Sequence, residues 1–337
     1  MTDFTILLWA ITPSLLLLAV YYLRSPSAPS LLRLLSFFAF GAISGFLALG
    51  LQFGFETLAN SLFEWQRFTR NIFGAILRQL LAMPLATILL RRRYANEDGI
   101  APIEESCKLI AVVVPTYYLR HRHSLRSSTV FLFAVASSLG FTAQENAIYV
   151  FNDTSSLVER IIGTPIHAMF SAPWAYVVSV NFPNQTLFRT YKDPLIKAWL
   201  NSVICHTVVN LLATAGSYSS SLRFLSYALF PFLLWMFWRL EQLLRRVQSR
   251  PTIMLVSAYT RQHRYWQRGL ILFALMLGGN AIFGMVLLWQ AVSPLIERGI
   301  FDNQILIFIL SRSALNLVYG IIAWGIYRYL LHVAKKN

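Results

Sequence analysis

The sequence predicts an all-α, polytopic integral membrane protein with about eight to ten transmembrane helices and a conical polar pocket inside the bundle. Of the 337 residues, 56% are hydrophobic and only 13% are charged, whereas about a quarter of the residues of a soluble domain are charged. The apolar residues fall in runs of about 20, the length that a helix needs to cross the hydrocarbon core. Several runs contain isolated Glu, His and Asn residues, which are costly in hydrocarbon and indicate a polar cavity.

Ten apolar runs are candidate spans. The first has neither a basic leader nor a small-residue cleavage site, so we expect a retained helix rather than a removed signal peptide. The two weakest candidates are the run 71–90, which contains Arg78, and the first run, which is shortened by its acidic start. The predicted spans cover residues 4–23, 31–53, 71–90, 102–119, 129–151, 157–180, 195–216, 222–238, 269–289 and 304–331.

The charges between these runs predict the orientation of the chain. The net charge is +15, but most of the arginines lie between spans, where they orient helices by the positive-inside rule. This pattern does not call for a nucleic-acid partner. It places both termini in the cytoplasm, with the cluster Arg91–Arg93 as an exception and with a basic cytoplasmic loop over residues 239–268. We expect one membrane domain over 1–337, because no linker marks a boundary. Two cysteines are too few for a disulfide scaffold.

The run 102–119 begins with an unusual group of charges, formed by Glu104, Glu105 and Lys108. One interpretation is an ordinary polar cap, since acidic residues are favoured in the first turn of a helix and Glu104 and Lys108 are spaced as i,i+4 partners. The other is a wet, functional pocket, in which Lys108 keeps at least one carboxylate ionised. Adjacent residues point about 100° apart on a helix, so we expect only one glutamate to face the water.

Three later spans place further polar residues at helical spacing. Each residue alone has a structural explanation, such as a hydrogen-bonded histidine or a small serine between helices. In the predicted topology, however, their depths in the membrane match, so all can face one cavity that opens outward. These residues are Phe141, Glu145 and Asn146 in the run 129–151, His167 and Ser171 in the run 157–180, and His206 and Asn210 in the run 195–216.

Carboxylates and imidazoles around water are suited to hydrolysis. A carboxylate can accept the proton of an attacking water, while a His or Asn stabilises the oxyanion that forms at a carbonyl. The same groups could instead hold zinc, and the ligands would then be Glu145, His167 and His206. The sequence contains no H-E-x-x-H motif. A metal site would therefore have to be assembled from separate helices.

Four short motifs on successive predicted spans resemble the PrsW family of intramembrane proteases, which is related to the CAAX prenyl endopeptidases and the bacterial CPBP proteins. Their order and their placement on the spans both agree with the family. The resemblance covers about residues 100–216. The motifs are Glu104-Glu105-x-x-Lys108 for E-E-x-x-K, Phe141-x-x-x-Glu145 followed by Asn146 for F-x-x-x-E, His167-x-x-x-Ser171, and His206-x-x-x-Asn210 for H-x-x-x-D/N.

The resemblance implies a membrane-embedded endopeptidase with its core over residues 101–216, accessory helices over 1–100 and further accessory helices over 217–337. Glu104 or Glu105 would be the base that activates water, by a glutamic or a metal-dependent mechanism. The substrate would be a membrane-anchored protein, and in PrsW relatives such substrates include anti-sigma factors. The catalytic residues would be Glu104, Glu105, Glu145, His167, His206 and Asn210, supported by Lys108, Phe141, Asn146 and Ser171.

Two other functions use the same pocket. A membrane scaffold or binding protein of this fold would hold a partner segment without cleaving it. A transporter could use the Glu and His residues as a proton relay, although no inverted repeat of the kind found in many transporters is apparent. For all three functions we expect a multi-pass protein of a cell membrane, and for the protease a bacterial plasma membrane. The accessory helices could recruit a substrate or a membrane partner complex.

Overall fold

The computed structural model describes residues 3–25, 28–62, 101–152, 157–182, 192–218, 220–250, 255–257, 260–297 and 302–336. These residues form helices and their connections, and no strand occurs among them. The helices are α1 (Asp3–Arg24), α2 (Leu31–Leu62), α3 (Ala101–Arg120), α4 (Ser127–Phe151), α5 (Leu157–Gly163), α6 (Ile166–Asn181), α7 (Lys192–Tyr218), a 3-10 helix (Ser220–Ala228), α8 (Leu229–Val247), α9 (Arg261–Glu297) and α10 (Asn303–Lys336).

Six helical segments of the described chain are long and apolar enough to cross a membrane. This confirms the predicted all-α, polytopic membrane protein. The shorter or more polar helices α3, α4 and α6 carry three of the four Glu and His motifs, and the fourth, at His206, lies on α7 within one of the six segments. The six segments are Leu7–Arg24, Leu31–Gly54, Asp193–Gly216, Ser221–Val247, Arg261–Leu295 and Asn303–Ala334.

The predicted span 157–180 is two helices in the structure, α5 and α6, which are separated by a turn at Thr164 and Pro165. Pro165 has no backbone N–H and so cannot continue the hydrogen bonding of α5, but it is well suited to precede a new helix. The break leaves α6 with only 16 residues. The predicted span 71–90 and the arginine cluster Arg91–Arg93 lie outside the described residues.

One compact unit comprises residues 1–226 and 236–251. Its centre is α4, which packs against α1, α2, α3 and α6 and buries every residue from Ser128 to Gln144. Gly140 allows a close approach to α2, because a Cβ at this position would overlap the carbonyl of Phe38. Such small-residue contacts are how membrane helices pack without a hydrophobic driving force.

A second compact unit comprises residues 227–235 and 252–337, in which α9 packs along α10. The Asn316 side chain lies against Gly284, where a Cβ would overlap it. Residues 236–251, which lie in the predicted C-terminal accessory region, belong to the first unit. All of the residues of the predicted pocket also lie in the first unit.

Candidate active site

The first turns of α3 bring three charged side chains into the interior of the first unit. Pro102 lies in the first turn, where its missing N–H costs no hydrogen bond, and Glu104 lies where the helix dipole favours a carboxylate. Glu104 is 4% exposed, and Glu105 and Lys108 are fully buried. An ordinary surface cap would leave these charges in contact with solvent, so the burial favours the pocket interpretation.

The Glu105 carboxylate accepts hydrogen bonds on both of its oxygens. Lys108 Nζ donates to Oε1 at 2.5 Å. Oε2 accepts from Ser171 Oγ at 3.3 Å and from the indole Nε1 of Trp174 at 3.0 Å. The ion-pair partner of Lys108 is therefore Glu105, three residues earlier in the helix, and not Glu104. A carboxylate with this many donors is fixed in place and is stabilised as the ion.

The neighbouring carboxylate of Glu104 has a free oxygen. Oε1 accepts from Gln52 Nε2 of α2 at 3.2 Å. Oε2 has no hydrogen-bond partner among the described residues and lies 3.7 Å from Nε2 of His206. A buried carboxylate oxygen without a donor is costly unless a ligand satisfies it. Of the two glutamates, Glu104 is therefore the one with an oxygen left free to bind a ligand.

His167 lies between a cation and a carboxylate. Its Nδ1 is 3.0 Å from Lys108 Nζ, and its Nε2 is 2.6 Å from Glu145 Oε2. An ammonium group has only donors, so Nδ1 must accept and Nε2 must carry the proton that is donated to Glu145. The partners thus fix the tautomer and the ring orientation of His167.

Helix α5 supplies Arg160, which binds the side chains of Glu145 and Asn146. Arg160 donates through Nη2 to Glu145 Oε2 at 3.2 Å and through Nε to Asn146 Oδ1 at 2.8 Å. Its guanidinium group also lies 4.3 Å from the centre of the Tyr149 ring. The short helix that follows α4 therefore fixes both polar residues at the end of α4.

Aromatic rings enclose the polar groups. His206 stacks on Phe170 with ring centres 4.1 Å apart and an interplanar angle of 14°. Lys108 Nζ lies 4.6 Å from the centre of the Phe141 ring, a cation–π contact that stabilises a desolvated ammonium. The two histidine rings are 5.5 Å apart, edge to face. The rings shield the polar groups from bulk solvent, which lowers the local dielectric constant and strengthens the electrostatic interactions inside.

Asn210 lies one turn after His206 on α7 and is partly buried. Its backbone carbonyl accepts from Thr214 Oγ1 at 2.8 Å. Among the described residues, no hydrogen bond joins its amide group to the glutamates or histidines of the pocket. The structure thus brings together the other predicted residues, and the catalytic role of Asn210 stays a prediction.

A metal ion would find three donors in this pocket. Glu104, His167 and His206 each offer one ligand atom, and these atoms lie within 4.8 Å of one another. Glu104 Oε2 and His206 Nδ1 have no hydrogen-bond partner among the described residues, as expected of groups that can bind a ligand. The chemistry of this set suits a divalent metal such as zinc. The carboxylate of the set is Glu104, whereas the sequence led us to expect Glu145, which is instead the partner of His167.

Four contributors to the pocket were not identified from the sequence. The spacing of Phe170 and Trp174 from His167 places all three on one face of α6, and this signal could have found them. Gln52 is an isolated polar residue in an apolar run, which is a signal in itself. Arg160 gave no such signal, because it was indistinguishable from the orienting arginines between spans.

A family model described as "PrsW family intramembrane metalloprotease" matches residues 29–236. The match includes α2, which supplies Gln52, and α3 to α7, which supply every other residue of the pocket. Comparison with curated proteins and with solved structures gave no significant match.

Proposed function

Because the chain belongs to the PrsW family of intramembrane metalloproteases and is therefore a peptidase, we propose that Glu104 is the base that activates water in the cleavage of a membrane-anchored protein. The observation that carries this proposal is the free Glu104 Oε2, buried beside His206 and in the same donor cluster as His167. Glu105 differs in that both of its oxygens already accept hydrogen bonds.

In the proposed reaction Glu104 is the general base, and His206 and Asn210, which lie one turn apart on α7, stabilise the oxyanion. Glu104 accepts a proton from water, and the oxygen of that water forms a bond to the carbonyl carbon of the substrate. His206 stabilises the resulting oxyanion together with Asn210. Glu104 then returns the proton to the leaving nitrogen as the C–N bond breaks, which gives a carboxylic acid and an amine.

The other residues of the pocket have positioning roles in this proposal. Glu105, held by Lys108, Ser171 and Trp174, fixes the first turns of α3 and so the direction of Glu104. Glu145 holds His167 in one tautomer. In the metal-dependent alternative, Glu104, His167 and His206 would hold a divalent metal, which would supply a Lewis acid that polarises the carbonyl and promotes ionisation of water.

The setting of the reaction follows from the membrane helices. The family implies a membrane-embedded protein substrate and a lipid environment. We further propose that the chain lies in a bacterial plasma membrane with both termini in the cytoplasm, so that the pocket opens towards the outer leaflet. Cleavage of an anti-sigma factor would then start a signalling cascade, and the helices outside residues 101–216 would recruit the substrate or a partner complex.

The test is to compare wild-type protein with Glu104→Ala, Glu105→Ala and His206→Ala forms and to follow candidate membrane proteins for cleavage. Asp193→Asn, a change to an exposed carboxylate at the start of α7, is the matched control. We expect product from the wild type and the control, and none from the three site variants. Full activity in all three variants would exclude the mechanism. Loss of substrate association with no product from any form would favour the scaffold function instead.

A further inference from the structure

The lone pair that His167 would offer to a metal is already used by a cation of the protein itself. Lys108 Nζ lies 3.0 Å from Nδ1, and Glu145 Oε2 lies 2.6 Å from Nε2, so neither nitrogen is free. A carboxylate on one nitrogen is compatible with a metal on the other, and metal-binding histidines commonly have such a partner. A lysine on the remaining nitrogen is not compatible, because both the ammonium and the metal require the same lone pair.

The other two donors of the cluster differ from His167 in this respect. Glu104 Oε2 and His206 Nδ1 have no hydrogen-bond partner among the described residues. His206 Nδ1 does lie 3.3 Å from Glu105 Oε1, but without hydrogen-bond geometry. Two of the three donors can therefore bind a ligand as they stand, and the third is blocked by Lys108.

Lys108 is held firmly in the blocking position. Its side chain is fully buried, so water does not compete for its protons. Glu105 accepts a hydrogen bond from Nζ at 2.5 Å. The ring centres of Phe141 and Phe170 lie 4.6 and 5.9 Å from Nζ. Release of His167 does not require the loss of Glu105, because an ammonium group has three donors and can keep that partner.

We propose that Lys108 regulates metal binding by the pocket: its ammonium group occupies His167 Nδ1, and a metal completes its ligand set only when Lys108 releases that nitrogen. Lys108 is thus a positioning residue that sets the metal affinity below what the three ligands alone would give. This inference rests on the proposed function in taking Glu104, His167 and His206 as the ligands.

The test measures the Zn²⁺ affinity of the purified full-length protein by competition with a chromophoric chelator. The key variant is Lys108→Met with Glu105→Gln, which removes one positive and one negative charge and so leaves the net charge unchanged. The matched control, Glu241→Gln with Arg245→Met, removes the charges of another ion pair, of 2.8 Å. We expect the key variant to bind Zn²⁺ roughly ten- to a hundredfold more tightly than the wild type. In this variant the hydrogen bond from Lys108 no longer competes with the metal for His167 Nδ1, and a hydrogen bond to a charged group contributes a free energy of this size.

The control pair is expected to leave the affinity at the wild-type value. Adding His167→Ala to the key variant is expected to abolish the gain, which assigns it to this histidine. Equal affinity in the wild type and the key variant, or no Zn²⁺ binding by either, would overturn the proposal. Those results leave the cleavage assay of Glu104 variants unaffected, so the regulation and the proteolytic function can fail separately.

A measurement on the wild type covers the case in which the key variant does not fold. Nitrogen NMR of labelled His and Lys side chains, followed during Zn²⁺ addition, reports on His167 Nδ1 and Lys108 Nζ directly. We expect both signals to change together and with the same midpoint. Ligation of His167 with an unchanged Lys108 signal, or no change in either signal, would overturn the proposal.

Discussion

The buried ion pair of Lys108 and Glu105 gives a prediction about stability. Both side chains are fully buried, and the two atoms are 2.5 Å apart. Removing one partner of a buried pair leaves the other charge without compensation, which costs about 3–5 kcal/mol. We therefore expect Lys108→Met and Glu105→Gln each to lower the free energy of unfolding by about that amount.

The double variant is expected to lose much less free energy of unfolding than the sum of the losses in the two single variants. Replacing both members of a buried pair removes both desolvated charges, and such replacements are often close to neutral. With single costs of about 3–5 kcal/mol each and a double variant close to the wild type, the interaction energy from the double-mutant cycle should be about 6–10 kcal/mol, which is larger than is usual for residues in direct contact. The free energy of unfolding can be measured by denaturant titration in mixed micelles.

A partly exposed pair provides the comparison. Arg245 and Glu241 are 2.8 Å apart, with side chains that are 28% and 16% exposed. Their interaction energy should be at most about 1 kcal/mol, because solvent screens the charges. If the costs of the two single variants simply add in the double variant of Lys108 and Glu105, the two charges are stabilised independently and the pair is not coupled as predicted.

Three further predictions concern side chains that were not identified from the sequence or that set the packing. Trp174→Phe should lower the free energy of unfolding by about 1.5–3 kcal/mol and also slow cleavage, because the buried carboxylate of Glu105 loses a hydrogen-bond donor. An unchanged melting temperature and an unchanged cleavage rate would contradict this. Arg160→Met should slow cleavage by freeing Glu145 while changing stability by less than about 1 kcal/mol, and equal turnover by the variant would argue against this role. Gly140→Ala should cost about 1–3 kcal/mol through overlap with a neighbouring carbonyl, whereas Gly50→Ala, which faces open space, should cost nothing in the same unfolding assay.

The fold was predictable because hydropathy and span length are local properties of the chain. The polar residues of the pocket were also found, since an isolated Glu or His in an apolar run is conspicuous wherever it lies. Helical spacing correctly placed His167 and Ser171 on one face, and Ser171 contacts the same carboxylate as Trp174. The break before α6 was missed, because a proline can also be tolerated inside a membrane helix.

The roles of the two glutamates could not be predicted from spacing. Glu104 and Glu105 are neighbours, and the rotation of α3 that decides which one faces Lys108 and Trp174 depends on packing against other helices. Gln52, which holds Glu104, comes from a helix about 50 residues earlier in the chain. The sequence placed Glu145 among the metal donors, whereas the structure has Glu104 there. The cause is the same, because only the three-dimensional arrangement shows that Glu145 already accepts a hydrogen bond from His167.

In the proposed mechanism Glu104 is the working carboxylate and Glu105 is a structural one. The direct measurement compares newly formed protein N-termini in membranes that contain the wild type or Glu104→Gln, at equal amounts of folded enzyme. We expect the wild type to generate specific cleavage products and Glu104→Gln to lower their rate of formation by at least about a hundredfold, the lower end of what a general base contributes. Cleavage of the same sites by Glu104→Gln at the wild-type rate would show that Glu104 is not the base.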